Sequence, residues 1–138
     1  LHMALVAATV ANGGKMPQPY LVGKILSPEG ETLRETRPRT WREPIRPETA
    51  EQVRRLMVTT VERGGSTRAR VDGLVVGGKT GTAETGDGDS HSWFISFAGR
   101  PDQPPEIAIA VVVERAGSGA TVALPIAREV ITAYFAER

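Results

Sequence analysis

Residues 107–113 read Ile-Ala-Ile-Ala-Val-Val-Val, apolar at every position, and this run limits the fold more than any other feature of the chain. A strand with one wet face alternates in polarity, whereas a strand apolar on both faces requires cover on both sides. Taken as a strand over Ile107–Glu114, the run predicts a place in a sheet interior with layers packed above and below. Two further strand candidates precede it, Leu74–Thr82 and Ser92–Gly99. Arg100–Pro105 (RPDQPP) forms a compact turn between the last two strands, and so short a link makes them antiparallel. Within Ser92–Gly99, Trp93, Ile95 and Phe97 alternate with Ser92, Phe94, Ser96 and Ala98. That spacing assigns Trp93 to core packing rather than to the wall of a groove.

Helical patterns supply the cover. Leu1–Ala11 is apolar nearly all round and reads as a buried helix, ended by Asn12-Gly13-Gly14, residues that accept left-handed dihedrals. Over 47–63, Ala50, Val53, Met57 and Val61 fall on one face, with Pro47 in the first turn and Gly64-Gly65 beyond the end. Over 121–136, Ala123, Ile126, Ala127, Val130, Ile131 and Tyr134 mark a closing helix, with Thr121 as its cap and Pro125 in its first turn. Residues 20–34 form a hairpin turning at Ser27-Pro28-Glu29-Gly30, and Thr36–Pro44 (TRPRTWREP) an exposed, extended connection. The fold class is therefore α/β of the α+β type, an antiparallel sheet packed between helices. A chain of 138 residues with 40% hydrophobic content suits one modest domain. The opening helix is too short to span a bilayer and has no basic flank. Chains seldom begin inside a buried helix, so this one reads as the rear part of something longer.

Charge and composition exclude several function classes. Seventeen basic against sixteen acidic side chains leave a net charge of +1, too little to draw in nucleic acid or an acidic membrane surface. Arg37, Arg39 and Arg42 flank a single aromatic, Trp41, which reads as a solvated loop rather than a nucleic-acid surface. There is no cysteine, and His2 and His91 stand too far apart in sequence to suggest a zinc pair.

Gly73, four residues on, then Gly78-Lys79-Thr80 satisfies the phosphate-loop pattern G-x-x-x-x-G-K-[ST]. Its context does not. Such a loop needs a hydrophobic strand before the first glycine and a helix beginning at the lysine. Here Ser66–Asp72 is polar, Leu74-Val75-Val76 is itself β-prone, and Gly81, Gly86 and Gly88 would break a helix. Read instead as the end of a strand, Lys79 is most simply an edge charge that discourages aggregation. Glu84 and Asp87 read as solvated loop carboxylates, and Asp89 and His91 are likewise assigned no role.

Lys79-Thr80-Gly81-Thr82 at a strand end is similar to the third signature of the penicillin-recognising serine transferases and hydrolases. The ordered series MALVAATVANGG, PYLV, VERGG, VGGKTGTAE, HSWFISFAG, IAIAVVVE and LPIAREVITAYF resembles the C-terminal part of the transpeptidase domain of class B penicillin-binding proteins, nearly end to end. The resemblance implies a partial β-lactamase/transpeptidase-like fold over 1–138. It implies that Lys79, Thr80 and Thr82 bind the terminal carboxylate of a D-Ala-D-Ala stem peptide or of a β-lactam, that Gly81 keeps the backbone bare for close approach, and that the Thr82 backbone amide is an oxyanion-hole donor. It further implies an upstream membrane anchor, a site on the outer face of the bacterial cytoplasmic membrane, and no metal or organic cofactor. Members of the same superfamily include β-lactamases and β-lactam sensors, and a non-catalytic protein-binding module would also keep the groove.

The family's nucleophile is a serine in S-x-x-K, assisted by S-x-N. No serine in this chain has a lysine three residues on or an asparagine two residues on; the resemblance puts both motifs upstream. The parent is thus expected to be a serine-type D,D-transpeptidase, and this chain alone inactive, with bare apolar faces that favour the missing upstream part or self-association. The 138-residue polypeptide should therefore take up no covalent label from a fluorescent penicillin, as read on a denaturing gel. Stoichiometric labelling would contradict this.

Overall fold

The computed structural model describes residues 1–86 and 88–137. Three strands, β5 (Val75–Ala83), β6 (His91–Gly99) and β7 (Ile107–Val113), form an antiparallel sheet in the order β5-β6-β7. Helix α1 (His2–Ala11) packs on β6 and β7, α2 (Pro47–Arg63) against α1 and β5, and α3 (Ala123–Ala136) on β6 and β7. Phe94 and Phe97 lie on the two faces of β6 and anchor separate clusters, both rings fully buried. Phe94 packs with Val61, Val76, Leu124, Ala127 and Ile131, and Phe97 with Val10 and Met57. The result is a sheet between helices, as the sequence pattern requires.

The IAIAVVV strand departs from its expected place. Both faces are covered, by α1 and α3, yet β7 is an edge of this sheet and its residues are mostly half-buried. A wholly apolar strand reports cover on its faces and says nothing about how many neighbours it has in the plane of the sheet. The closing helix also differs: its buried residues are Ala123, Leu124, Ala127 and Ile131, while Ile126 and Val130 face outward. Thr121 does not cap it. The Thr121 hydroxyl donates to Ser118 O at 3.0 Å, and the orphan N–H of Ala123 is taken by Ser92 Oγ of β6 at 3.1 Å.

Smaller elements follow turn chemistry. β2 (Lys24–Leu26) and β3 (Thr32–Glu35) pair antiparallel. Their turn is closed by the N–H of Gly30 (φ 88°) donating to Ser27 O, while the Ser27 hydroxyl accepts from the N–H groups of Glu29 and Glu31. The connection at 36–44 is not wholly irregular: β4 (Thr40–Arg42) pairs with β1 (Met16–Pro17). Pairing in the hairpin begins at Lys24, four residues beyond the predicted start at 20, because residues 20–23 are exposed and outside the ladder; the other differences from the predicted spans are shifts of one or two residues at element ends.

Two adjacent glycines make room for the core. A methyl group on Gly77 would overlap the Phe97 ring, and one on Gly78 the Phe94 ring. Neither ring can withdraw, because each is sealed on its own face by helix side chains. Gly77→Ala should accordingly destabilise the fold by about 1–3 kcal/mol, the usual cost of overpacking. Urea unfolding of the variant would show a lowered midpoint; an unchanged one would refute the packing described.

Candidate functional site

β5 is paired along its whole length on one side only. Its register with β6 runs unbroken from Val75↔Gly99 to Ala83↔His91, and no described strand lies along its other edge. Burial falls along it: Val76, Gly77 and Gly78 are buried, Thr80 and Gly81 half-buried, Lys79, Thr82 and Ala83 exposed. One end of the strand is thus fixed in the core while the other stands open.

The four residues singled out in the sequence occupy that open end. Lys79 sits in mid-strand, with no helix at its position, which removes the phosphate-loop geometry. Strand pleating sends Lys79 and Gly81 to the face of Ile95 and Trp93, and Thr80 and Thr82 to the face of Phe94 and Ser92. The two sets meet at the rim, where Lys79 Nζ donates to Thr80 O at 2.8 Å. That carbonyl therefore faces outward. On an antiparallel edge strand alternate residues turn both backbone groups the same way, so Thr82 N–H points off the free edge beside it. The rim offers a cation, two hydroxyls, and an outward-facing amide and carbonyl, a surface fit to receive an extended, anionic chain as an added strand.

Trp93 was expected in the core and is not there. It is half-buried, outside both core clusters, and its Cβ lies 3.2 Å from where a Gly81 Cβ would stand. Strand alternation identified its face correctly, but α1 and α2 cover that face only nearer Phe97. His91 accepts the Arg115 N–H on Nδ1 at 3.0 Å, tying the start of β6 to the segment after β7. Asp87 lies outside the described residues. Glu51 on α2 is held down to about 2 by hydrogen bonds from Arg54 (2.7 Å) and Arg55 (2.7 Å), a helix-surface arrangement away from β5's open end. A cleft of about 750 Å³ with Val10, Glu51, Arg54 and Arg100 in its lining borders Val75, at the far end of the strand from Lys79. The candidate site is therefore a strand edge rather than an enclosed pocket.

Residues 1–132 match the model of the penicillin binding protein transpeptidase domain. The chain belongs to this family. It is 37% identical to the peptidoglycan D,D-transpeptidase PbpA of Mycolicibacterium smegmatis, over 99% of this chain and 29% of that protein. Among solved structures, it resembles penicillin-binding protein A from M. tuberculosis in a ceftriaxone acyl-enzyme complex with TM-score 0.85 and 37% identity, covering 94% of this chain and 31% of the other. The penicillin G acyl-enzyme complex of that protein gives TM-score 0.78 and 36% identity, over 96% of this chain and 31% of the other. The chain thus spans under a third of the length of these relatives. Within the transpeptidase family the mixed fold is accounted for, including the antiparallel sheet between helices.

Two features of the site were beyond reach of the sequence reading. One is the full burial of Ser92, the register partner of Thr82. The other is the buried Gly119, whose backbone lies on the Gly81–Trp93 rung. Neither carries a local motif: Ser92 is held by Ser118 and Ala123, twenty-six and thirty-one positions on, and Gly119 meets Gly81 from thirty-eight positions away.

Proposed function

We propose that this chain forms the substrate-carboxylate and oxyanion wall of a serine peptidoglycan D,D-transpeptidase that also reacts with β-lactams. The observation that carries this reading is the unpaired edge of β5, with Lys79, Thr80, Gly81 and Thr82 at its exposed end. An acyl-peptide laid along this edge gains main-chain hydrogen bonds that fix its reacting carbonyl. Its terminal carboxylate comes to the rim, where Lys79 approaches from one face and the hydroxyls of Thr80 and Thr82 from the other. Gly81 leaves the backbone between them bare.

The carbonyl oxygen of the penultimate D-alanine then points at Thr82 N–H. As a serine Oγ from the upstream part attacks that carbon, negative charge builds on the oxygen and the amide stabilises it. The peptide C–N bond breaks, D-alanine leaves with a proton on its nitrogen, and the chain remains as a serine ester. An amine of a neighbouring stem peptide attacks the ester, forms the cross-link and returns the proton to serine. A β-lactam stops at the ester stage because its ring-opened amine stays tethered. The acyl-enzyme relatives and the name of PbpA support this reading. The substrate places the work on the outer side of the cytoplasmic membrane, with any anchor in the upstream part. The outward-facing Leu56, Ile126 and Val130 suit contact with that part or with a second copy.

In the intact parent, Lys79→Ala should lower the second-order rate of acylation by a penicillin on the order of 10–100-fold, the worth of a charge-assisted hydrogen bond. Acylation by the methyl ester of the same penicillin, measured in parallel, should change little. Equal losses with acid and ester would remove Lys79 from carboxylate recognition.

A further inference from the structure

Gly119 is buried although it lies in a connecting segment, between β7 and α3. A methyl group on it would collide with the Trp93 carbonyl oxygen, and would stand 2.5 Å from Gly81 O and 3.1 Å from Gly81 N. All three atoms therefore lie close to one point, so Gly81 and Trp93 face each other as a hydrogen-bonded rung with Gly119 resting on top of it. The approach is possible because Gly81 and Trp93 both direct their β-positions to the opposite face. Between the side chains of Thr80 and Thr82 the backbone is bare on the α3 side, and only a glycine in the covering segment fits that space.

The covering segment is pinned to the same sheet. Ser92 Oγ donates to Ser118 O at 2.9 Å and accepts from Ala123 N–H at 3.1 Å, and Ser92 has no exposed surface. Further bonds run from Val122 N–H and Leu124 N–H to Ser118 O and Gly119 O. Ser92 is also the register partner of Thr82. The rung that carries Thr82 thus holds the segment that presses on Gly81.

Gly81 C=O and Thr82 N–H belong to one planar peptide unit, with the two bonds pointing in opposite directions. With the carbonyl turned toward β6 by pairing and covered from the α3 face by Gly119, the amide is aimed off the free edge. We infer that Gly119, anchored through Ser92, is a positioning residue for the oxyanion donor: it fixes the tilt of the Gly81–Thr82 peptide plane. A strand edge bonded on one side tilts easily, and a donor stabilises developing charge well only if its direction is set beforehand. This inference rests on the role proposed above for Thr82.

The test uses the intact parent and rapid-mixing kinetics with a fluorescent penicillin, which separate the dissociation constant before acylation, the acylation rate constant at saturation, and the fraction of molecules labelled. Gly119→Ala should lower the saturating rate constant by at least about tenfold, short of the 10²–10³-fold lost when a donor is removed outright. The dissociation constant should stay within about threefold, since Lys79 and the threonine hydroxyls are untouched. Ser92→Ala, a smaller perturbation, should lower the same rate constant by about threefold or more, and decides the matter should Gly119→Ala fail to fold. A purely structural role would reduce the labelled fraction and the melting temperature while the surviving molecules react at the wild-type rate constant; that result would overturn the inference. A wild-type parent that takes no label would instead bring down the proposed function, and this inference with it.

Discussion

The antiparallel pairing of β5 with β6, nine residues in unbroken register from Val75↔Gly99 to Ala83↔His91, sets the position of everything at the candidate site. Pairing on one side leaves the other side of β5 open. The glycines at 77 and 78 allow Phe97 and Phe94 to close over the inner half of the strand from opposite faces. Beyond them the helices recede, and the same strand emerges with Lys79 and Thr82 exposed. Anchoring one end in the core gives the exposed end the precision of a rigid element. A loop bearing the same four residues would have to be ordered by its ligand.

The chemistry of Lys79 is decided by the element beneath it. At the head of a helix, surrounded by curled main chain, a lysine after two glycines grips a phosphate. On an open strand the backbone groups are spent on alternate sides, and the lysine joins hydroxyls and one outward amide at a rim. That arrangement suits a carboxylate at the end of an extended chain, which is the ligand the proposed function requires. The distinction came from the neighbours of the motif, from the polar Ser66–Asp72 before it to the glycines after it, rather than from the motif.

Local patterns carried much of the fold. Pro47 with the Ala50, Met57 and Val61 spacing gave α2, Ser27–Gly30 gave the hairpin, and the strand periods gave β5 and β6. What escaped was non-local. The pairing of β1 with β4 joins two residues, one of them Pro17, to a proline-spaced segment, too little pattern to announce a sheet. The edge position of β7 depends on how many strands lie beside it, which no composition records. Thr121 had the right chemistry for a cap, but a serine thirty-one residues before Ala123 took that role through the tertiary fold. Gly81 looked like room for a ligand. The structure shows that its β-position lies beside Trp93, while Gly119 rests on its backbone from the other face.

The account stands on the free edge of β5 presenting the Thr82 amide outward, and residue-resolved hydrogen exchange on the intact parent measures that directly. The Thr82 N–H should exchange rapidly in the free protein while the Lys79 and Gly81 amides, bonded to β6, are protected. Acylation by a penicillin should then slow exchange at Thr82, as the acyl carbonyl accepts its hydrogen bond. Protection at Thr82 before any ligand is added, or exchange there that acylation leaves unchanged, would contradict the account.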